Sequence, residues 1–540
     1  MIPSLSLEIT VLLLGILMLL VESFSRSDDK RGLAKMAIGI LSALVGFSFF
    51  VDPASGNAFY AVDATAHFFK VLALLTTIVV LIMSLEYSSV LAKYLPGVTP
   101  GAGLGEFYSL PVFTCAGLMF MASAVDFLLI FVSLELVTIS FYILVAYMRR
   151  HTASLEAGVK YLILGALSTG FLVYGITWIF GLTGETNLTK IGETLNAQYA
   201  THSVALVAPA AVEPPVSPEA AVFEGGSIKN PIFSTRQPAV PSPVPSPVPL
   251  LFGLMLLLTG LGFKVAAVPF QLWVPDVYQG APTPITAFLS VGSKAAGFVV
   301  LLRVLQPFLG VPGVGVKVLA VLALMAALTM LYGNLAALPQ DNFKRLLAYS
   351  SIGHAGYLLV AVASVSDTKA TFGSAGVAVA FYLAGYLLMT LLSFLVLIVV
   401  SRHSRGDDIL HFNGLAKRSP FLAFALLAAM LSLAGIPFTA GFIGKFLVFA
   451  AAVQAGNFWL VGIGILTVAA GFYYYLRIVA AMYWQEPGDT TPITIAPLTR
   501  TAIGALTLAI FVFGIFPQPI LRQLKDPAPL PTTPIHTAAR

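Results

Sequence analysis

Charge is what this chain has least of. Only 10% of its 540 residues are Asp, Glu, Lys or Arg, against 58% hydrophobic residues. A soluble domain carries about 25% charged residues, so most of this molecule's surface is not built for water. Cysteine is nearly absent. Cys115 stands alone, which excludes a disulfide within the chain and an iron–sulfur cluster held by its own thiolates. The seven histidines show no HExxH or related spacing, and no Walker A or GxGxxG motif follows a strand. Neither a metal centre nor a phosphate cradle is therefore expected. The net charge of +5 reads as basic loops on one side of a bilayer, not as a nucleic-acid surface.

What is present is a long series of apolar runs. They lie near 3–24, 33–51, 66–88, 108–124, 126–148, 157–182, 249–270, 284–306, 316–338, 344–365, 371–400, 420–453, 458–483 and 497–516. Most are close to the ~20 residues that a helix needs to cross a bilayer, and 371–400 and 420–453 are longer. The expected fold is an all-α polytopic membrane protein of about fourteen spans. The narrowest division is Ser123–Asp126, between the fourth and fifth. The first run, MIPSLSLEITVLLLGILMLLVESF, has neither a basic n-region nor a small-residue cleavage site. It is expected to remain as the first span.

Basic residues give an orientation. Arg26, Lys30, Arg31 and Lys35 follow the first span; Arg149 and Arg150 follow the fifth. Lys344 and Arg345 precede the tenth; Arg402, Arg405, Lys417 and Arg418 precede the twelfth. If spans alternate, all of these share one side, and the intervening short loops on the other side carry only Lys317 and Lys369. The positive-inside rule puts the basic side in the cytoplasm and both termini outside. Residues 184–248 are polar and then proline-rich, ending PAVPSPVPSPVPL. That composition favours extended polyproline II and reads as an exposed outside loop, a tolerated surface insertion.

Five ionisable side chains are read as lying within the spans: Glu135, Lys160, Lys264, Lys294 and Lys445. A charge at mid-bilayer costs roughly 2.5–3.5 kcal/mol on insertion scales, so such residues usually face a protein interior or a wet cavity and mark transport paths. Low dielectric pushes isolated ionised groups toward neutrality, and a lysine so placed can lose and regain a proton near neutral pH. A row of such groups is a proton wire. Lys160 lies near a helix start, where snorkelling to the surface is the bland alternative. His354, in YSSIGHAGYLL, is read as a possible relay, because an unperturbed imidazole titrates near 6.5, with a packing histidine as the alternative. Asp341, Lys344 and Arg345 are read as a helix cap and orientation signal, and Arg303 and Arg477 as anchors near span ends. Helix interruptions stand beside two lysines: Pro269 after Lys264, and Gly435-Ile436-Pro437 before Lys445. Broken helices of this kind, one in each half, suggest a duplicated, inverted unit.

The stretch FKVAAVPFQLWVPDVYQGAPTPITAFLSVGSKAAGF closely resembles the subunit N family of bacterial NADH–quinone oxidoreductase, respiratory complex I. LELVTIS around Glu135, KRLLAYSSIGHAGY from Lys344 and LAGIPFTAGFIGKF through Lys445 extend the likeness over nearly the whole chain outside the Pro-rich loop. PDVYQGAP separates it from the sister antiporter-like subunits.

The resemblance implies fourteen helices with two inverted five-helix repeats. The parts would be N-terminal helices in 1–107, repeats in 108–306 and 307–485, and a last helix with its tail in 486–540. It implies proton translocation across the bacterial inner membrane, coupled to electron transfer from NADH to quinone. FMN and iron–sulfur clusters would sit in partner subunits and none in this chain. Glu135 and Lys160 would form a charge-coupling pair, Lys264 and Lys294 the central relay and Lys445 the outlet group. Gln271 stands where the family usually has His; it cannot titrate, though it can hold a water. A cation/proton antiporter subunit and a non-transporting scaffold are the competing readings.

Overall fold

The computed structural model describes residues 2–525 apart from 4, 26–28, 53–55, 58, 96–104, 208–245, 366–373, 405 and 489–490. The chain runs as helices α1 (Leu5–Phe24), α2 (Arg31–Phe47), α3 (Ala64–Leu91), α4 (Gly105–Ser123), α5 (Phe127–Val145), α6 (Thr152–Thr183) and α7 (Leu188–Val207). It continues with α8 (Val248–Val265), α9 (Val274–Gly280), α10 (Thr283–Phe288), α11 (Lys294–Leu309), α12 (Gly315–Ala337), α13 (Phe343–Ala363) and α14 (Ser374–His403). The last are α15 (Leu415–Arg418), α16 (Pro420–Ala434), α17 (Ala440–Gln454), α18 (Phe458–Trp484), α19 (Pro497–Ile515) and α20 (Gln518–Lys525). Among the described residues, strand pairing is confined to Ile2–Pro3 with Val51–Asp52.

Every expected apolar run is helical over most of its described residues. Among the described residues, twelve helical stretches are long and apolar enough to cross a membrane. The remaining two expected spans are α4 and the half-helix pair α16–α17. Side-chain caps set several starts: Asp63 accepts from Ala66 N at 2.6 Å, Asp126 from Leu128 N at 2.8 Å and Asn342 from Arg345 N at 3.1 Å. Each satisfies an N–H that the first turn leaves without a helical partner. Asp126 thus fixes the narrow division between α4 and α5.

The stretches Thr283–Leu309, Phe343–Ala363 and Ser374–His403 are enclosed by protein over their whole apolar windows. They form the centre. Peripheral helices turn apolar side chains outward, among them Leu13, Val159, Ile163, Leu466 and Leu508. Hydrocarbon accommodates such faces, and backbone groups held inside helices need no water there. Close packing at the centre depends on small residues: a Cβ on Gly333 of α12 would stand 2.3 Å from the backbone nitrogen of Gly353 on α13.

The basic loops gather at one end of the bundle. Arg150 N donates to Tyr94 O at 3.0 Å, Lys344 pairs with Asp407 at 3.4 Å and Lys417 with Glu486 at 2.7 Å. At the other end Val125 N donates to Phe59 O, and Leu188 N to Val125 O. Arg26, Arg405 and Lys369 lie outside the described residues.

Residues 184–248 are not simply a loop. Their first part is α7, which rests on α11 through Leu188, Ile191, Leu195 and Tyr199. The spacing of those four residues is helical, and the polar residues between them masked it. The proline-rich part lies almost wholly outside the described residues.

Candidate functional site

In the first half, α8 ends at Val265, one residue after Lys264, and Ala266 just beyond it takes a left-handed conformation (φ 63°). Lys264 is buried, and its ammonium donates to Thr138 Oγ1 on α5 at 2.7 Å. Glu135 lies three residues before Thr138, on the same helix face. It is half-buried, accepts from Thr169 on α6 at 3.0 Å, and is the charge that acts on Lys264.

Lys160 does not pair with Glu135. Its ammonium binds Asp276 at 2.6 Å and Glu156 at 2.7 Å, with 41% of the side chain exposed. The reason is helical height. Glu135 meets α6 at Thr169, nine residues beyond Lys160, which is about 13 Å along the axis. Asp276 also binds Arg345 at 2.8 Å and so bridges α6 to α13. Burial raises the Asp276 carboxyl, but hydrogen bonds from Lys160 and Arg345 outweigh it and hold the group below the ordinary carboxylate range.

Lys294 opens α11 directly after a π turn at Leu289–Ser293. Such a turn inserts an extra residue and re-aims the side chains of the next turn. The ammonium donates to Ser351 O at 2.5 Å and to Ser351 Oγ, and stands 5.5 Å over the Tyr386 ring. Tyr278 OH joins the same Ser351 hydroxyl at 3.1 Å. A Cβ on Gly297, one turn along α11, would lie 3.6 Å from Lys264 Cβ, so the two lysines occupy neighbouring turns of packed helices.

His354 lies three residues beyond Ser351. Its Nδ1 meets Tyr382 OH at 2.6 Å and its Nε2 meets Tyr475 OH at 3.1 Å. Its ring lies 5.0 Å from that of Tyr386, which Lys294 faces, and 6.0 Å from that of Tyr357, which Lys445 faces, so it stands between the two lysines. Lys445, on α17, donates to Leu433 O at 2.9 Å and Ala434 O at 2.8 Å, the open end of α16. It stands 5.3 Å over Tyr357.

The order is therefore Glu135 and Thr138, Lys264, Lys294 and Ser351, His354 with its tyrosines, then Lys445. Gln271 is buried near the α8 break, and among the described residues its Oε1 has no hydrogen-bond partner.

The expected set of five ionisable groups is too small. Glu8, Lys70, Glu86, Arg303 and Lys344 are also buried within helices. Arg303 is not a surface anchor: it pairs with Asp63 at 2.9 Å. Lys344 is more than an orientation signal, since its ammonium reaches Ala281 O at 2.9 Å. Asn342, not Asp341, caps α13, while Asp341 faces Arg477 at 3.5 Å. Arg477 reaches Leu338 O and Gln340 O and so anchors the end of α12. Glu8 and Lys70 stand inside apolar runs of the sequence, where the same cost rule that flags Lys264 applies to them.

Among known proteins, a profile of the family described as NADH:quinone oxidoreductase/Mrp antiporter, TM matches residues 124–212 and 244–471. Those segments contain the whole row from Glu135 to Lys445. NADH-quinone oxidoreductase subunit N of Trichlorobacter lovleyi is 39% identical over 529 residues, covering 95% of this chain and 94% of that one. A chain of respiratory complex I from Thermus thermophilus with bound aureothin is 30% identical with a TM-score of 0.71, covering 96% of this chain and 99% of that one. A chain of the Mrp complex from Dietzia shares the fold at 18% identity and a TM-score of 0.72, covering 97% and 96%.

Proposed function

The chain belongs to the NADH:quinone oxidoreductase/Mrp antiporter family, as a proton-translocating membrane subunit of the subunit N group, and we propose that its protons pass along Glu135, Lys264, Lys294, His354 and Lys445. One observation carries this reading. The ammonium groups of Lys264, Lys294 and Lys445 are buried, and their hydrogen-bond partners are hydroxyl and carbonyl oxygens. Among the described residues none of the three is paired with a carboxylate. A buried cation without an anion is costly and is relieved when its proton leaves. Three in sequence give positions that load and empty.

Charge movement in a neighbouring subunit would act first at Lys160 and Glu135. Lys160 is held by Asp276 and Glu156, away from Glu135, and in that arrangement Glu135 is left as the carboxylate that acts on Lys264. A change in that balance moves the Lys264 proton toward Lys294, and His354 links Lys294 to Lys445. Refilling comes from the basic, cytoplasmic face. We place both termini and the 184–248 segment outside, in the bacterial inner membrane. FMN and the iron–sulfur clusters belong to partner subunits. The two repeats would be residues 108–306 and 307–485, each containing one broken helix with a non-glycine residue in left-handed geometry, Ala266 and Phe438.

An antiporter role is not favoured, because the likeness to the Mrp chain is one of fold. The test is the proton yield per NADH of the assembled complex carrying Glu135→Gln. A fall supports the row, and an unchanged yield removes Glu135 from it.

A further inference from the structure

The row uses none of the charge at the other end of the bundle. Glu8, in the first turn of α1, is 0% exposed, and Lys70, two turns into α3, is 2% exposed. Their charges meet at 3.0 Å. Tyr60, just ahead of α3, links them a second time. Lys70 Nζ donates to the Tyr60 hydroxyl at 2.5 Å, and that hydroxyl donates to Glu8 Oε1 at 2.8 Å. Glu8 Oε2 has no hydrogen-bond partner among the described residues.

The charged and titratable groups facing the pair come from α3, α4 and α11. Asp63 and Arg303 act on Lys70, Lys70 acts on His67, and Glu8 acts on Cys115. The Asp63–Arg303 pair ties this cluster to α11, whose first residue is Lys294.

A buried ion pair is a poor fastener, because apolar side chains of similar volume often serve as well or better. An ionisable group inside a membrane is better read as functional, with its partner named. Here the three groups stand in donor order. A proton passing from Lys70 to the Tyr60 oxygen, while the Tyr60 proton passes to Glu8, leaves a neutral amine, an intact hydroxyl and a carboxylic acid. Atoms and charge balance without another reactant. Glu8 is the fourth residue of α1, about 5 Å from the start of that helix, so the carboxyl is close to the face opposite the basic loops.

We propose that Glu8, Tyr60 and Lys70 form a second proton-handling site of this subunit, which exchanges protons with the face opposite the basic loops. It rests on the chain's role in proton translocation, not on the order of groups in the row. The site lies outside the segments matched by the family profile.

Two substitutions separate relay from fastener. Tyr60→Phe removes the hydroxyl and keeps the direct ion pair. Lys70→Arg keeps the charge but cannot release the proton, since a guanidinium stays protonated. Each is made in the whole complex, which is purified and reconstituted in vesicles. Subunit content, uncoupled NADH oxidation and proton yield per NADH are then measured, with Glu135→Gln alongside. The expected result is intact assembly, normal uncoupled oxidation and a lowered proton yield in both variants. Full yield in both overturns the proposal. If neither assembles, the uncharged double variant Glu8→Gln, Lys70→Met decides. Assembly with lowered yield supports the relay; full yield, or failure to assemble, identifies a structural clamp and sinks it. Loss with Tyr60→Phe and Lys70→Arg but not with Glu135→Gln would remove Glu135 from the row and leave this site standing. The reverse pattern would remove this site alone.

Discussion

Lys445 donates to the carbonyl oxygen of Ala434 at 2.8 Å, so a lysine on one half-helix closes the open end of the other. The last carbonyls of a helix have no N–H of their own and carry partial negative charge. They hold an ammonium without a full counter-ion. When the proton leaves, the amine keeps N–H bonds to offer, so the broken span accommodates both states.

This geometry depends on Gly435. Its φ is 90°, and a Cβ there would stand 2.9 Å from Lys445 Cδ. Gly435→Ala is expected to cost roughly 1–3 kcal/mol of backbone strain and to displace the lysine. Gly456→Ala is the control, with φ 75° and nothing within 4 Å. Both variants should melt at lower temperature, and only Gly435→Ala should also lower the proton yield. Equal yields would detach Lys445 from its cap.

Glu135→Gln keeps the size of the side chain and removes the charge that acts on Lys264. Assembly should be retained and redox-linked pumping should fall strongly. Vesicle acidification at matched subunit content reads this directly.

Asp276→Asn tests the bridge between α6 and α13. The carboxyl is held below its ordinary range, so its contribution is complete above the unfolded value of about 3.9 and is lost only as pH falls through the lower, folded value. The side chain is 35% exposed, and pairs of this kind contribute at most about 1 kcal/mol. A small melting difference from wild type should hold from pH 7 to about 5 and close only below that. Closure between pH 7 and 6 would contradict the assignment.

Orientation has its own measurement. A reporter fused after Pro247 should behave as periplasmic. Cytoplasmic activity there would invert the bundle or change the number of spans before it.

The spans, the two helix breaks and the three buried lysines were legible because apolar length and isolated charge are one-dimensional signals. Lys264 and Lys445 announce themselves beside Pro269 and Pro437. Pairing was not legible. Whether Lys160 meets Glu135 or Asp276 depends on the height at which α5 and α6 face each other. The sequence carries the spacing within each helix but not that offset. Helix α7 was hidden because Leu188, Ile191, Leu195 and Tyr199 are separated by polar residues in a segment dominated downstream by proline. Glu8 and Lys70 were overlooked for a different reason. Each lies within about two turns of a span's start, where snorkelling is the usual reading. Only the fold shows that they bury each other.

The central claim is that the buried lysines release protons. Lys264→Arg and Lys445→Arg keep the positive charge but fix it, because arginine does not deprotonate near neutral pH. The measurement is proton uptake per NADH oxidised in vesicles, at subunit content matched by gel. The account predicts an assembled complex with a lowered proton yield for each variant. Full yield from both variants in an assembled complex would contradict it.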